Sequence, residues 1–449
     1  MIVKRAADRP AQERASVISV DMHHQPPSSL AFLVRHRMVL LCALLIVLGL
    51  AERLAFLPVR TSDMGIYQTP WLQAAERAGG SYLRHKFTNY TPFYEHCMAL
   101  MALFPGTAVL RIKISGVLFD GVLAFTVTRL VPRGRRLLAA AVTLALPTIA
   151  MNSALLAQSD AIYGAMVAAC IAAALRKKPV WAMLAFSAAI AVKLQALLVA
   201  PLLVLLWLDR RQPLCSFALV PLTYVLFALP MAMAGRSAIE IFGVYSQQYD
   251  FFAILSVNAP NVWQVGQSMM SYERGLMLGL PCAVMLTGTA ILLLWRAGTL
   301  HARNGLLLAA AILLIIVPYV TPKMHDRYFY LVDPVMVALA CRDRRFLAPM
   351  LLAQTASLLS YVPFIADSYI AFDPVWGRAG EVAQVTRLNY GILPLFGAVA
   401  MGAALILLMG EAYRCAKWDT GILRRWPWGG GFQAYRFADD GRHSLSGTR

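Results

Sequence analysis

Long runs of apolar residues recur along almost the whole chain, and they constrain its fold more than any other feature. A hydrocarbon core of about 30 Å takes roughly 20 residues of α-helix to cross. Within lipid every backbone N–H and C=O must be satisfied by the chain itself, so repeated runs mean a helical bundle. The runs lie at 38–57, 108–131, 137–156, 161–176, 180–194, 196–208, 214–234, 275–295, 304–320, 329–341, 346–364 and 391–410. They predict an all-α membrane protein, a polytopic bundle of about twelve transmembrane helices. The stretch 180–208, interrupted by Lys193, Gln195 and Pro201, reads either as a tight helical pair or as one long bent helix. Hydrophobic residues make up 59% of the chain and charged ones 14%, against roughly 45–50% and 25% in a soluble domain.

Short loops that stay in the cytoplasm retain Lys and Arg. Arg35 and Arg37, Arg133 to Arg136, Arg176 to Lys178, Arg210 and Arg211, Arg296 and Arg303, and Arg342 to Arg345 all fall on one side if the spans alternate. Both termini are therefore expected in the cytoplasm. The net charge of +18 is largely this topological signal and calls for no nucleic acid. The terminal basic residues are placed to touch anionic lipid. Seven cysteines without CxxC pairing predict free thiols, mostly buried. Eight histidines without ligand spacing give no support for a tightly held metal. The first apolar run follows about thirty mostly polar residues and reads as a retained first helix, not a cleaved signal. Met1 to Ser29 and the tail beyond Trp418 are expected to be poorly ordered.

On this topology the polar residues with chemical potential gather at the outer face. The first outer loop, 58–107, holds Thr61-Ser62-Asp63, then Tyr67, Trp71 and Asn89-Tyr90-Thr91-Pro92. Two interfacial helices are expected in it, at 64–77 and 92–104, the second opened by Pro92. Asp63 stands where it would cap the first, which is its bland explanation. The second segment is Asn152-Ser153 to Gln158-Ser159-Asp160, polar groups at a helix end that need a cavity or one another; capping by Ser159 or Asp160 is the alternative. The third is Lys193-Leu194-Gln195, where Lys193 taken alone would only snorkel to the interface. The fourth runs from Pro318 to Tyr330 and contains Lys323, His325, Asp326 and Arg327. Arg suits bidentate phosphate binding, and His325 can donate a hydrogen bond or titrate. A fifth, 235–273, offers Tyr245, Tyr249 and Asn258 to Trp263, as an aromatic belt or a sugar-stacking surface.

Taken in order, these segments resemble the GT-C superfamily of integral-membrane glycosyltransferases, nearest to bacterial relatives of the GPI-anchor mannosyltransferases and of the dolichol-linked-oligosaccharide glucosyltransferases. Ser62-Asp63 matches the acidic residue after the first span, and Tyr90-Thr91-Pro92-Phe93 the Tyr-x-Pro motif of the second surface helix. Gln158 to Tyr163 is similar to the family's Gly-Gln-x-Asp-Ser-Ile-Tyr, and Lys193-Leu194-Gln195 to its Lys-x-Gln. Met324-His325-Asp326-Arg327-Tyr328-Phe329 resembles its Met-His-Glu-Arg-Tyr-Phe, the most specific of the five. Departures are Ala157 for the usual Gly, Thr91 where Pro is frequent, and Asp326 for Glu. The domain reading is a cytoplasmic segment 1–37, a catalytic membrane module 38–345, closing helices 346–411 and a basic cytoplasmic tail 412–449.

The resemblance implies transfer of a hexose, mannose first and glucose second, from a polyprenyl-phosphate sugar, with inversion. The acceptor would be a glycolipid or oligosaccharide, and the site would face the periplasm from a bacterial inner membrane. Asp63 takes the role of general base, with Asp160 as a second catalytic carboxylate. Arg327, His325 and Lys193 bind the donor phosphate; Asp326, Gln195, Gln158, Tyr67, Tyr90 and Trp263 position substrate. No tightly bound cofactor is implied, though there is room for a loosely held divalent cation. No GxGxxG fingerprint for a nucleotide sugar is present. A transporter or lipid flippase is the rival, since Asp120, Lys193 and Asp160 would also mark a substrate path, but no internal repeat supports it. An inactive polysaccharide-assembly partner is the third reading.

Overall fold

The computed structural model describes residues 28–244, 253–367, 370–372, 382–383 and 392–416. The order of residues 1–27 and of the tail beyond Trp418, and the roles of Tyr245 and Tyr249, lie outside the described residues. The chain divides into two units, Met1–Leu41 and Cys42–Arg449. In the first, the described residues are helical from Ser28 onward. The second contains the other elements.

Each apolar run contains a helix, yet length separates them into two kinds. Five are long and apolar enough to cross a membrane alone: His36–Phe56, Leu214–Met233, Tyr272–Arg296, Arg344–Ile365 and Ile392–Arg414. A sixth is the pair Arg133–Ala145 and Pro147–Leu155, bent by 56°. Pro147 causes the break, because it has no N–H to continue the helical ladder. Asp160–Leu175, Pro179–Val192, Leu194–Leu208 and Gly305–Val320 are apolar but shorter. Ala108–Thr128 has 21 residues and carries Arg111, Lys113 and Asp120, all buried. Among the described residues, where about twelve crossings were expected, five or six helices are thus long and apolar enough to cross, beside several shorter apolar ones. The stretch 180–208 is a broken pair, parted at Lys193, whose backbone is extended.

Gly305–Val320 is buried from Gly305 to Ile316, as a helix apolar on all sides must be. The helices pack with their basic loops at one end. There Arg176 donates to Arg129 O (3.3 Å), Arg211 to Leu300 O (3.2 Å), and Arg342 to Leu130 O and Asn304 Oδ1 (both 2.8 Å). At the other end the loop 58–107 forms a π-helical turn Met64–Gln68, the helix Thr69–Ala78 and the helix Pro92–Ala102, close to the two expected surface helices. All seven cysteines are unpaired, five of them buried or half-buried, with Cys215 and Cys282 exposed.

Candidate functional site

Asp63 is delivered by the way the first long helix ends. The helix stops at Phe56, and the fully buried ammonium of Lys113 takes the carbonyls of Phe56 and Val59. The Phe56 carbonyl would otherwise be orphaned at a helix C-terminus. Val59–Arg60 then pairs antiparallel with Ile370–Phe372, and the chain enters the π-turn at Met64. Asp63 precedes that turn with φ −54°, ψ −43° and makes no side-chain cap. Its carboxylate reaches across the chain instead. Oδ2 accepts from Gln158 Nε2 at 3.1 Å and from Arg327 Nη1 at 3.2 Å. Helix capping therefore does not explain Asp63.

The Gln158 segment follows the bent helix. A π-turn Met151–Leu155 and a left-handed Ala157 (φ 54°) turn the chain, and Asp160 starts the next helix. Ser159 makes no side-chain cap. Asp160 is 1% exposed; Oδ1 lies 2.5 Å from Lys193 Nζ, and Oδ2 accepts from Asn152 Nδ2 at 2.9 Å. Lys193, 4% exposed, does not snorkel: its ammonium is held by Asp160 beside the rings of Tyr90 (5.6 Å) and Tyr163 (5.8 Å). Thr91 explains how this turn meets the first loop. Its hydroxyl donates to Ala191 O and Val192 O at the end of the preceding helix, and accepts from Tyr94 N as the cap of Pro92–Ala102. A proline at 91 could do neither.

The Pro318–Tyr330 segment is clamped from the fifth segment. Ser256–Val257 pairs in parallel with Met324–His325, and Lys323, in the left-handed region at φ 63°, donates its N–H to Leu255 O at 2.7 Å. Asn261 Nδ2 donates to Pro318 O and Thr321 O, and Trp263 Nε1 to Val320 O at 2.7 Å. Lys323 Nζ donates to Tyr272 OH at 2.7 Å. Arg327 is thereby presented to Asp63 and lies 5.6 Å from the ring of Phe364. Burial opposes its charge, but the carboxylates of Asp326, Asp63 and Asp160 outweigh that and raise its pKa. Burial, helped by the charges of Arg327 and Lys193, pushes His325 down to about 3. The imidazole is thus neutral at physiological pH: it can donate one hydrogen bond but brings no positive charge. Burial raises Asp326 to about 6 against the pull of Arg327, and its Oδ2 is buried without a partner.

These segments enclose a cavity of about 280 Å³. Asp63, Gln158, Lys193, Gln195, His325 and Arg327 supply its polar wall; Tyr67, Trp71, Tyr90 and Phe364 supply aromatic surface, with Gln68 and Asn89 between. A second cavity of about 300 Å³ adjoins it, lined largely by Leu194, Leu197, Leu198, Leu280, Val317 and Met324. Gln195, Val257, His325 and Tyr328 border both, with Gln195 Nε2 donating to Tyr328 OH at 2.9 Å.

Most residues singled out in the sequence converge here, with three exceptions. Asp160 lines no part of the cavity; it stands behind Lys193. Asp326 is likewise sealed, 2% exposed. Trp263 is away from the cavity, with its indole N–H used to hold Val320. Gln68, Trp71, Asn89, Tyr328 and Phe364 join the cavity without having been chosen. Of these, Trp71 and Asn89 had been named in the first loop and Tyr328 in the Met324–Phe329 motif, but without a role; Gln68 and Phe364 had not been named. Among the described residues, no three His, Cys, Asp or Glu side chains converge so as to hold a metal ion.

A charged cavity thus lies at one end of an apolar helical bundle, beside a second cavity lined largely by apolar residues. Comparison with known families gives the class. Residues 87–322, more than half of the chain, match glycosyltransferase family 87, and the chain belongs to that family of GT-C type integral-membrane glycosyltransferases. Asn89, Tyr90, Gln158, Asp160, Lys193 and Gln195 lie inside the matched stretch, and Asp63, His325, Asp326 and Arg327 flank it. No curated protein matches the chain.

Proposed function

We propose that the protein transfers a hexose, mannose first and glucose second, from a polyprenyl-phosphate donor to a hydroxyl of a glycolipid or oligosaccharide, with inversion. The observation that carries this reading is the adjacency of the two cavities. The donor phosphate would sit at Arg327 and Lys193, its sugar beside Asp63, and the first isoprene units in the apolar cleft beyond Gln195, Val257, His325 and Tyr328. A soluble nucleotide sugar would leave that cleft unused.

Asp63 is the general base. Its Oδ2 is occupied by Gln158 and Arg327, which fixes the carboxylate while it faces the cavity, 26% exposed. As the acceptor oxygen attacks the anomeric carbon from the face opposite the phosphate, its proton passes to Asp63. The lipid phosphate leaves as an anion, and Arg327 and Lys193 meet the charge as it develops in a site partly shielded from water, where fixed charges act most strongly. His325 donates a hydrogen bond to the same oxygens. Asp160 acts through Lys193 and Asp326 through Arg327, as positioning residues. No cofactor has a step in this scheme.

On this reading the basic end of the bundle is cytoplasmic and the cavity periplasmic. The short helices complete further crossings as buried or broken spans, within a catalytic module at 38–345 closed by helices up to 411. The test is incubation of the purified protein in lipid with radiolabelled polyprenyl-phosphate mannose and a membrane-lipid extract from its source, beside Asp63→Asn and Arg327→Ala. Transfer by the unaltered protein and loss in both variants is expected. Undiminished transfer by Asp63→Asn would remove the base.

A further inference from the structure

We infer that the face of the first outer loop running from Asp63 through Tyr67 and Gln68 to Trp71 is the subsite for the acceptor's sugar ring, with Trp71 as stacking platform and Gln68 as its hydrogen-bonding group. The inference rests on the proposed donor reading for the word acceptor, and on the geometry for the word sugar.

The two cavities divide by origin in the chain. The four residues common to both, Gln195, Val257, His325 and Tyr328, all follow Lys193 in sequence. Tyr67, Gln68, Trp71, Asn89 and Tyr90 line the polar cavity and have no part in the apolar one. A donor with its tail in the apolar cleft therefore occupies the later-chain side, which leaves the first-loop side to the acceptor. Asp63 belongs to that side as well.

Spacing puts these groups in line. Asp63, Tyr67 and Trp71 recur every four residues through the continuous turns Met64–Gln68 and Thr69–Ala78, and residues four apart share a helix face. All three reach the cavity. Trp71 lies 5.8 Å from Tyr67 and edge-on to Tyr90 at 5.3 Å, so the rings brace one another into a wall. A pyranose ring offers such a wall its apolar C–H face and keeps its hydroxyls at the edge, where a polar side chain must meet them. Gln68 answers that need. It is 4% exposed, lines the cavity, and its Oε1 has no hydrogen-bond partner. A buried carbonyl left unpaired is costly, and a sugar hydroxyl would satisfy it. Gln68, next to Tyr67 in sequence, borders the same cavity as Trp71 and Asp63.

The experiment measures acceptor and donor separately in the full-length protein in lipid nanodiscs. Methyl α-mannopyranoside and methyl α-glucopyranoside serve as acceptor probes, followed by saturation-transfer NMR; radiolabelled polyprenyl-phosphate mannose reports donor binding. Trp71→Ala is expected to weaken glycoside binding by about tenfold or more, as truncation of a central aromatic anchor does. Trp71→Phe should keep most of it, Gln68→Leu should lose severalfold, and donor affinity should stay within about twofold in all three. In turnover, the KM for acceptor rises while that for donor does not. Equal glycoside signals in the unaltered protein and in Trp71→Ala and Gln68→Leu would overturn the inference, as would no glycoside signal in the unaltered protein or a parallel fall in donor affinity. Absence of donor binding to the unaltered protein, with glycoside binding still lost in Trp71→Ala, would sink the donor reading and leave the sugar subsite standing. Trp71→Phe and Gln68→Leu decide the matter if the alanine variant does not fold.

Discussion

Lys193→Met separates the structural from the catalytic contribution of the Lys193–Asp160 pair. The carboxylate is 1% exposed and the ammonium 4%, at 2.5 Å. Removing one partner of a buried pair costs about 3–5 kcal/mol, because the other charge is stranded. A loss of about 3–5 kcal/mol is therefore expected, a large share of the roughly 5–15 kcal/mol that holds a domain together. The double variant Lys193→Met, Asp160→Leu strands no charge and should recover most of the loss, as replacement of buried pairs by apolar residues does. Transfer activity should stay low in both, because the ammonium that faces the cavity is gone. Unfolding of purified protein in one fixed lipid, with sugar transfer measured on the same samples, makes the comparison. A single variant as stable as the unaltered protein would refute the buried pair, and a double variant that regains transfer would refute a role for Lys193 at the phosphate.

Three more outcomes follow from the site. Asp63→Asn should cut turnover about 10²–10⁴-fold, the usual worth of a general base, with donor affinity kept; a change confined to KM would contradict the assignment. His325 and Asp326 should oppose each other in the pH dependence of stability. His325, held down at about 3 against an unfolded value near 6.5, leaves the unfolded state with more protons, so its contribution falls as pH drops from about 6.5. Asp326, raised to about 6 from an unfolded value near 3.9, binds its proton first in the folded state and gains stability over nearly the same window. Their two contributions should nearly cancel from about pH 6 to 4, and Asp326→Asn should change the slope of stability against pH there by at most about 1.4 kcal/mol per pH unit relative to the unaltered protein, toward loss as pH falls; an unchanged slope would dismiss the pairing. Trp263→Phe, which strands the Val320 carbonyl, should cost about 1–3 kcal/mol in stability and leave the KM for both substrates unchanged, whereas a raised KM would return Trp263 to the cavity.

The candidate site was legible in the sequence wherever its chemistry is local. Gln158 stood out as a polar group at the end of an apolar run, which is expensive and needs a purpose, and Arg327 as a guanidinium suited to phosphate. Lys193 and Gln195 gained their roles from their neighbours and from the resemblance of Lys193-Leu194-Gln195 to a family motif. Trp71 was named but given no role and Gln68 was not named, since an aromatic or amide residue on a surface helix is unremarkable until its neighbours are known. Thr91 looked like a departure from a motif and proved to be the joint between the first loop and the Lys193 turn. Asp160 and Lys193 looked like two independent groups at the cavity and proved to be one ion pair with a single exposed side.

By itself the sequence determined the helical bundle, its helix positions and the gathering of basic loops at one end, because hydropathy, helix-breaking residues and loop charge all act within a few residues. Only the tertiary structure decided which helices are long enough to cross, which carboxylate faces the cavity, and that His325 is neutral. Those outcomes depend on partners far apart in the chain: Arg327 meets Asp63 across 264 residues, and Gln158 meets it across 95. Apolar helix surfaces resemble one another too closely for their pattern to name a neighbour, since lipid and protein solvate them almost alike. Packing supplies the neighbour, and with it the burial and nearby charge that set each side chain's chemistry.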